Sequence, residues 1–234
     1  MRFPDPLIRG TLLRRYKRFL ADVELAGGRV VVAHCANPGA MLGLAEPGAP
    51  VWLSPARNPE RKLRYSWELT AVDGHMVGIN TSWPNALVEE AIRAARVPEL
   101  AGYANMRREV RYGRNSRIDI LLEDDARPLC YVEVKNVHMK RGPEAAEFPD
   151  SVTKRGTKHL GELGDAAEAG HRAVMFFLIQ RADCTHLEIA ADIDPVYDTA
   201  LHTAIARGVE VLCYSCNVTA NAIELHGRLP VALT

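Results

Sequence analysis

The fold of the C-terminal half is decided by two segments, SRIDILL at residues 116–122 and YVEVKNV at residues 131–137. Both are rich in β-branched residues, and the acidic, proline-containing segment between them predicts a β-hairpin. If its loop centres on Ala126, Asp119 lies directly opposite Glu133, and directly opposed residues share a face. The two-residue period of a strand adds Lys135 to that face.

This face predicts a metal site next to a phosphodiester. Two carboxylates whose Cβ atoms lie about 5 Å apart repel each other unless a cation lies between them or one takes up a proton. Oxygen ligands favour a hard ion, so we expect Asp119, Glu133 and the Val134 carbonyl to bind Mg²⁺ or Mn²⁺. Lys135 would orient water and stabilise phosphate charge. The alternative is a solvated strand face, which leaves a carboxylate within the apolar run IDILL unexplained.

A helix over residues 86–95 is predicted before this hairpin, with Asn85 as its N-cap. It carries two further carboxylates. Glu89 is the favoured third metal ligand, and the alternative is an exposed charge that pairs with Arg93.

A second helix is predicted over residues 151–169, with Asp150 or Ser151 as its cap. Its first turns carry cations and hydroxyls where the helix dipole favours anions, so they predict a phosphate clamp. The alternatives are a solvated helix face and a packed histidine. The predicted contacts are Thr153, Arg155, Lys158 and His159.

The first 83 residues predict a small closed β-barrel, of the OB type by preference. Short strands are separated by Gly-Gly, Asn-Pro-Gly, Glu-Pro-Gly and Asp-Gly turns at a spacing of about ten residues. Beyond residue 83, strands alternate with helices, which predicts an α/β sheet covered on both faces. We therefore expect two domains, 1–83 and 84–234.

Two clusters in the predicted barrel combine cations with aromatic rings, as a groove for nucleic acid requires. Strand edges protected by charge are the alternative. The predicted contacts are Arg14, Arg15, Tyr16, Lys17 and Arg18 in the first cluster, and Arg64, Tyr65 and Trp67 in the second.

Composition excludes several classes of protein. The chain has 47% hydrophobic and 25% charged residues, which argues against disorder, collagen and disulfide scaffolds. Its charges sum to zero, but residues 1–83 hold 11 Lys and Arg against 7 Asp and Glu. Five scattered cysteines and the lack of a secretory leader indicate reduced, buried thiols and a cytoplasmic location.

These segments together resemble the sugar fermentation stimulation protein A family over nearly the whole chain. The motifs that carry the resemblance are long and occur in one order. They are RRYKRF (14–19), HCANPGAM (34–41), KLRYSWE (62–68), INT (79–81), SRIDILL (116–122), YVEVKNV (131–137) and FPDSVTKRGTKHL (148–160). Ala36, Pro38 and Ser151 depart slightly from the family pattern, and none of them is a candidate carboxylate.

The resemblance implies an N-terminal OB-type domain and a C-terminal domain similar to the PD-(D/E)XK nucleases. Asp119 then matches the superfamily's Asp, Glu133 its Asp/Glu and Lys135 its Lys, with Glu89 as a further helix carboxylate. It also implies DNA binding without sequence preference and a suspected role in regulating sugar, notably maltose, metabolism. It does not settle catalysis.

We therefore predict a cytoplasmic, sequence-independent DNA-binding protein with a Mg²⁺-competent nuclease-type site. Three functions remain open at this stage. The site acts as a Mg²⁺-dependent endonuclease, the nuclease-like fold serves only as a binding or regulatory module, or the carboxylate face belongs to a metabolic enzyme that acts on a sugar phosphate.

Overall fold

A computed structural model of the chain describes residues 1–113 and 116–233. Six strands form the N-terminal part, in the order β3-β2-β1-β4-β5-β6, and a parallel pairing of β3 with β5 closes five of them into a barrel. The predicted small closed barrel is therefore confirmed. The strands are β1 (Ile8–Tyr16), β2 (Leu20–Leu25), β3 (Val30–Cys35), β4 (Pro50–Pro55), β5 (Tyr65–Val72) and β6 (His75–Gly78).

Trp67 lies in the core of this barrel. Its side chain has no exposed surface, it packs with Leu53 and Cys35, and its Nε1–H donates to the Leu69 carbonyl. A ring that is enclosed in this way cannot stack on a base. The prediction that Trp67 contacts nucleic acid is therefore wrong, because β5 is buried on both of its faces along most of its length.

A second six-stranded sheet forms the C-terminal part, in the order β14-β13-β11-β9-β8-β7. Strands β9, β11 and β13 run parallel to one another, and β7, β8 and β14 are antiparallel to their neighbours. A small parallel sheet contains β10, β12 and β15. The strands are β7 (Asn105–Tyr112), β8 (Ser116–Glu123), β9 (Cys130–Val137), β10 (Ala145–Phe148), β11 (Arg172–Ile179), β12 (His186–Ile189), β13 (Glu210–Val218), β14 (Ile223–Arg228) and β15 (Val231–Ala232).

Helices cover both faces of the large sheet, as predicted. Helix α1 (Pro84–Arg93) packs Leu87 and Val88 on one face, while α2 (Lys154–Glu168) and α3 (Pro195–Ala206) pack on the other. A short 3₁₀ helix, Pro98–Leu100, follows α1. The two faces bury separate clusters of apolar side chains, and this burial supplies most of the free energy that holds the layers together.

The helix starts differ from those predicted. Helix α1 begins at Pro84, which suits a first helical position, so Asn85 lies inside the helix and does not cap it. In α2 the cap is Thr153, whose hydroxyl accepts the Gly156 N–H. The predicted caps Asp150 and Ser151 lie further upstream, and this leaves the Asn85 and Asp150 side chains available for other contacts.

A buried carboxylate connects the barrel to the start of α1. Glu68 on β5 is 2% exposed and accepts hydrogen bonds from Ser54 Oγ, Asn80 Nδ2 and Trp83 Nε1 at 2.6–2.7 Å. Three donors satisfy a charge that would otherwise be costly to bury. The predicted domain boundary after residue 83 lies in the segment that leads from the barrel to α1.

The predictions on cysteines are confirmed, since all five are free and buried. In the described part of the chain, none of the helices is long and apolar enough to cross a bilayer. The strands that sequence patterns missed include β10, β12 and β15, which are short and lack the long apolar runs of β9 and β11.

Candidate active site

The β8–β9 hairpin opens at the level of Asp119. Its pairs include Leu122 with Cys130 and end at Ile120 with Val132, in the register that an Ala126-centred loop predicts. Beyond this pair, the Asp119 side chain replaces a backbone hydrogen bond between the two strands, because its Oδ2 accepts the Val134 N–H at 2.8 Å. The N–H and C=O of one strand residue point to the same side, so the Val134 carbonyl edge also faces this opening.

Glu133 lies next to this opening and is 2% exposed. Its Oε1 accepts the Lys135 ammonium at 2.7 Å and the Nδ1–H of His159 on α2. Its Oε2 is buried and has no hydrogen-bond partner among the described residues. A buried carboxylate oxygen without a partner is costly, so Glu133 is incompletely satisfied by the protein alone.

The two carboxylates have different pKa values. Burial, followed by the charge of Glu133, raises the pKa of Asp119 to about 6, against the opposing effects of the Val134 N–H, Lys135 and Asn85. Burial also opposes ionisation of Glu133, but His159 and Lys135 outweigh it and hold the pKa of Glu133 below its usual value. Near neutral pH both groups are therefore ionised, although they remain close to each other.

The carboxylates line a cleft of about 530 Å³ that is built by both parts of the chain. The α/β part contributes Asp119, Glu133 and Lys135, and the barrel contributes Arg18 and the loop 37–39. The predicted metal-binding and catalytic residues of the hairpin are thus brought together in one cleft, with a barrel cation on its wall.

Asn85 is a cleft residue that the sequence analysis missed. Its Nδ2 donates to Asp119 Oδ1 at 2.8 Å and lies 3.4 Å from Glu109 Oε1. Glu109 lies on β7 with φ +53°, a left-handed conformation that is rare for a residue other than glycine and is often found at functional sites. The sequence hid this role, because Asn85 comes directly before an apolar helical pattern, where Asn is typical of a cap.

The barrel loop that follows β3 also reaches the α/β part. Asp150 Oδ2 accepts the Met41 N–H at 3.2 Å, and the charged form of Asp150 is held by His138, which lowers its pKa despite burial. A Cβ on Gly39 would clash with the Asp150 carboxylate, so any other residue here would have to displace a side chain that accepts from Met41. The turn-rich sequence of the loop gave no indication of this contact.

The structure does not bring Glu89 to the cleft. Its carboxylate forms ion pairs with Arg93 on its own helix and Arg108 on β7. The prediction of a third metal ligand on α1 is therefore corrected, since both oxygens are already paired with cations. Across the described residues, no group of three or more His, Cys, Asp and Glu side chains is arranged to hold a metal ion.

The predicted phosphate clamp on α2 is only partly in the cleft. Thr153 and Arg155 line it, and Arg155 Nε donates to His159 Nε2 at 3.3 Å. His159 also lines the cleft, but it is 3% exposed and its two ring nitrogens are bonded to Glu133 and Arg155, so it is a packed histidine without a nitrogen left for a phosphate. Lys158 is exposed outside the cleft lining, with its Nζ 3.6 Å from Glu162.

The residues of the first basic cluster of the barrel make different contacts. Arg14 pairs with Asp22 at 2.7 Å and lies over the Tyr16 ring, whose hydroxyl also donates to Asp22. Arg15 donates to four backbone carbonyls. Lys17 and Arg18 form the exposed turn between β1 and β2.

The second basic cluster is occupied by local contacts. Arg64 donates to the Pro59 carbonyl, and the Tyr65 hydroxyl accepts from Arg29. Arg64 is exposed, whereas Tyr65 is half-buried against the barrel core. Neither residue lines the cleft.

Two family models match the chain in the order of its two parts. The model described as the SfsA N-terminal OB domain matches residues 13–79, and the model described as the Sugar fermentation stimulation protein RE domain matches residues 82–222. The chain belongs to the sugar fermentation stimulation protein family. The family resemblance and the OB-like barrel predicted from the sequence are thereby confirmed.

Relatives in this family match the chain from end to end. The Sugar fermentation stimulation protein homolog of Paramagnetospirillum magneticum is 60% identical and covers 100% of this chain and 99% of its own length. The homolog of Maricaulis maris is 56% identical and covers 100% of both. The solved structure of Pyrococcus furiosus SfsA in complex with Ca²⁺ has 28% identity and a TM-score of 0.89, and it covers 99% of this chain and 98% of its own. The predicted succession of an OB barrel and an α/β domain is confirmed.

Proposed function

We propose that the cleft binds a divalent cation, Mg²⁺ or Mn²⁺, and acts on the phosphodiester backbone of nucleic acid. The observation that carries this proposal is the buried Glu133 Oε2, which lacks a partner among the described residues and lies beside the opened hairpin of Asp119. Two carboxylates and a backbone carbonyl fit such an ion, because Mg²⁺ commonly uses one or two carboxylates and keeps several waters.

Asp119, Glu133 and the Val134 carbonyl would hold the ion. When bound, the ion supplies a Lewis acid for a phosphate oxygen. Lys135 is placed to neutralise a phosphate oxygen and orient a water, since its ammonium lies 2.7 Å from Glu133 Oε1. Asn85 and His159 keep the two carboxylates in position through their hydrogen bonds. The Ca²⁺ complex of the Pyrococcus furiosus relative supports a divalent site, since Ca²⁺ also takes oxygen ligands.

Nucleic acid is the proposed partner because cations from both parts of the chain surround the carboxylates. Arg18, Lys135 and Arg155 all line the cleft. Guanidinium and ammonium groups bind phosphates irrespective of base sequence, so we propose largely sequence-independent binding to DNA. The sugar fermentation role in the relatives' name would then be exercised through nucleic acid.

A cleavage and binding assay on the purified chain tests this proposal. Labelled single-stranded DNA, duplex DNA and RNA are incubated with Mg²⁺, Mn²⁺ or EDTA, and binding is measured separately with Ca²⁺. We expect steeply salt-dependent binding and metal-dependent cleavage of at least one form. Binding without cleavage would leave a regulatory module, and turnover of a sugar phosphate without affinity for nucleic acid would favour a metabolic enzyme.

Stabilisation by a divalent ion should depend on pH through Asp119. Because its pKa is raised to about 6, well above that of a free carboxyl, its ionisation opposes folding as pH rises through about 6. A bound cation relieves this cost only when Asp119 is charged, and it competes with the proton below pH 6. We therefore expect Ca²⁺ to raise Tm more at pH 7.5 than at pH 5. Asp119→Asn should abolish the difference, and equal shifts at both pH values in the wild-type chain would contradict this expectation.

Arg18 should contribute more to binding than Arg14. No ion pair to Arg18 occurs within residues 1–113 and 116–233, and its side chain lines the cleft, whereas Arg14 is neutralised by Asp22. For Arg18→Ala we expect the salt slope of duplex binding to fall by about 0.9, the value for one lost phosphate contact. Arg14→Ala serves as the matched control and should change the slope less. A larger effect of Arg14→Ala would contradict the assignment.

A further inference from the structure

The exposed end of the β7–β8 hairpin carries two arginines directly opposite each other. Arg111 on β7 pairs with Arg117 on β8 in the ladder. Both are exposed, while the alternate residues Val110, Tyr112 and Ile118 pack against the apolar cluster under α2. The strand period therefore places the two guanidinium side chains on the same outward face, with Cβ atoms about 5 Å apart.

This arrangement is unfavourable for the isolated protein. Like charges that lie directly opposite each other in a sheet are destabilising. Within the described residues, no carboxylate forms an ion pair with Arg111 or Arg117, although two other arginines of β7 are paired. Arg107 is held by Glu123, and Arg108 is held by Glu89. On β7, Arg111 is therefore the arginine without a carboxylate partner, and it lies opposite Arg117 of β8, which also lacks one among the described residues.

We propose that the Arg111–Arg117 pair is a second docking surface for the phosphate backbone of nucleic acid, outside the carboxylate cleft. This inference rests on the proposed function. Two adjacent guanidinium groups offer planar donors that suit phosphate oxygens. Arg117 lies two residues from Asp119 on β8, about 6.6 Å along the strand. At this spacing the pair lies within roughly two nucleotide steps of the carboxylate site, so one nucleic-acid molecule is long enough to contact both.

The chemistry of the surface favours nucleic acid over a protein or membrane partner. The exposed large hydrophobic side chains of the described chain lie on the barrel, next to the start of α2, on α3 and at the C-terminal end. None of them is on the β7–β8 hairpin. A surface with paired cations and no exposed apolar anchor matches a polyanion, because a protein interface would draw on apolar or aromatic anchors.

The test compares the double variant Arg111→Ala/Arg117→Ala with Arg107→Ala in the full chain. Binding to a labelled 30-base-pair duplex is measured in Ca²⁺ over a salt series. We expect the slope of log affinity against log salt to fall by about 1.8 in the double variant, for two lost phosphate contacts. Affinity should fall at least tenfold. Arg107→Ala removes an exposed arginine from the same strand that Glu123 already neutralises, so it should leave both quantities nearly unchanged.

A second variant separates this role from a structural one. Arg111→Glu replaces the repulsive pair with an opposite-charge pair, so we expect Tm to rise while affinity for the duplex falls. If the wild-type chain binds duplex and the double variant keeps its slope and affinity, the docking surface is wrong and the proposed function stands. If the wild-type chain binds no nucleic acid, the proposed function and this inference both fail.

Discussion

Glu133→Gln should abolish Mg²⁺-dependent cleavage while leaving nucleic-acid binding intact. The variant keeps the size of the side chain but replaces the buried, unpartnered Oε2 and its negative charge with a neutral amide. An amide binds Mg²⁺ more weakly than a carboxylate, and its NH₂ group would face the Lys135 ammonium or the His159 Nδ1–H unless the amide rotates. We expect a loss of about a thousandfold or more in rate, as for removal of a major electrostatic contributor.

Nucleic-acid binding by Glu133→Gln is the internal control for this prediction. Removing a negative charge from a cleft lined by Arg18 and Arg155 lowers the repulsion of phosphates, so affinity should stay the same or rise. Lys135→Ala should lose cleavage as well, through loss of charge stabilisation. Glu188→Gln, an exposed Glu on β12 outside the cleft, is the matched control and should cleave normally. Wild-type rates in Glu133→Gln would indicate that the cleavage does not come from this site.

Arg15→Ala should destabilise the barrel side of the cleft. The Arg15 guanidinium donates to the carbonyls of Arg18, Asn37, Gly39 and Ala40 at 2.8–3.3 Å. It thus joins the β1–β2 turn to the loop that contacts Asp150. Loss of these charge-assisted bonds should lower the free energy of unfolding by about 2 kcal/mol. For a chain of this size Tm should then fall by about 4–8 °C.

Arg15→Lys distinguishes this role from phosphate binding. A single ammonium cannot span four carbonyls as a guanidinium does, so we expect Arg15→Lys to be nearly as unstable as Arg15→Ala. Hydrogen exchange at residues 37–41 should increase in both variants. Arg14→Ala, which removes an exposed guanidinium that contacts Asp22 and the Tyr16 ring, should leave Tm and exchange close to wild type. Full recovery of stability in Arg15→Lys would show that positive charge alone is what this position requires.

The central hairpin could be predicted from sequence because its determinants are local. The alternation in SRIDILL and YVEVKNV, together with the short loop around Ala126, sets the register that brings Asp119 beside Glu133. The same local patterns predicted the barrel strands and helices α1 and α2, although these two helix starts were wrong by two and three residues. Hydrophobic periodicity reports what lies within one element or one turn.

Contacts between distant segments could not be predicted. The cleft brings Arg18 and the loop 37–39 to carboxylates about 100 residues further along the chain, and no local pattern encodes that distance. Asn85 resembled a cap until the structure placed it on Asp119. Trp67 was predicted to stack on a base because it follows Arg64 and Tyr65. Both faces of its strand are buried, and the alternation of polar and apolar residues could not reveal this.

Binding of one divalent ion by Asp119 and Glu133 together underlies all of the proposed chemistry. A crystal of the wild-type chain soaked in Mn²⁺ and measured at the manganese edge tests it most directly. We expect one anomalous peak that both carboxylates contact together with the Val134 carbonyl, and no peak there in a matched Asp119→Asn crystal. A fully soaked wild-type crystal without anomalous density between residues 119 and 133 would contradict it.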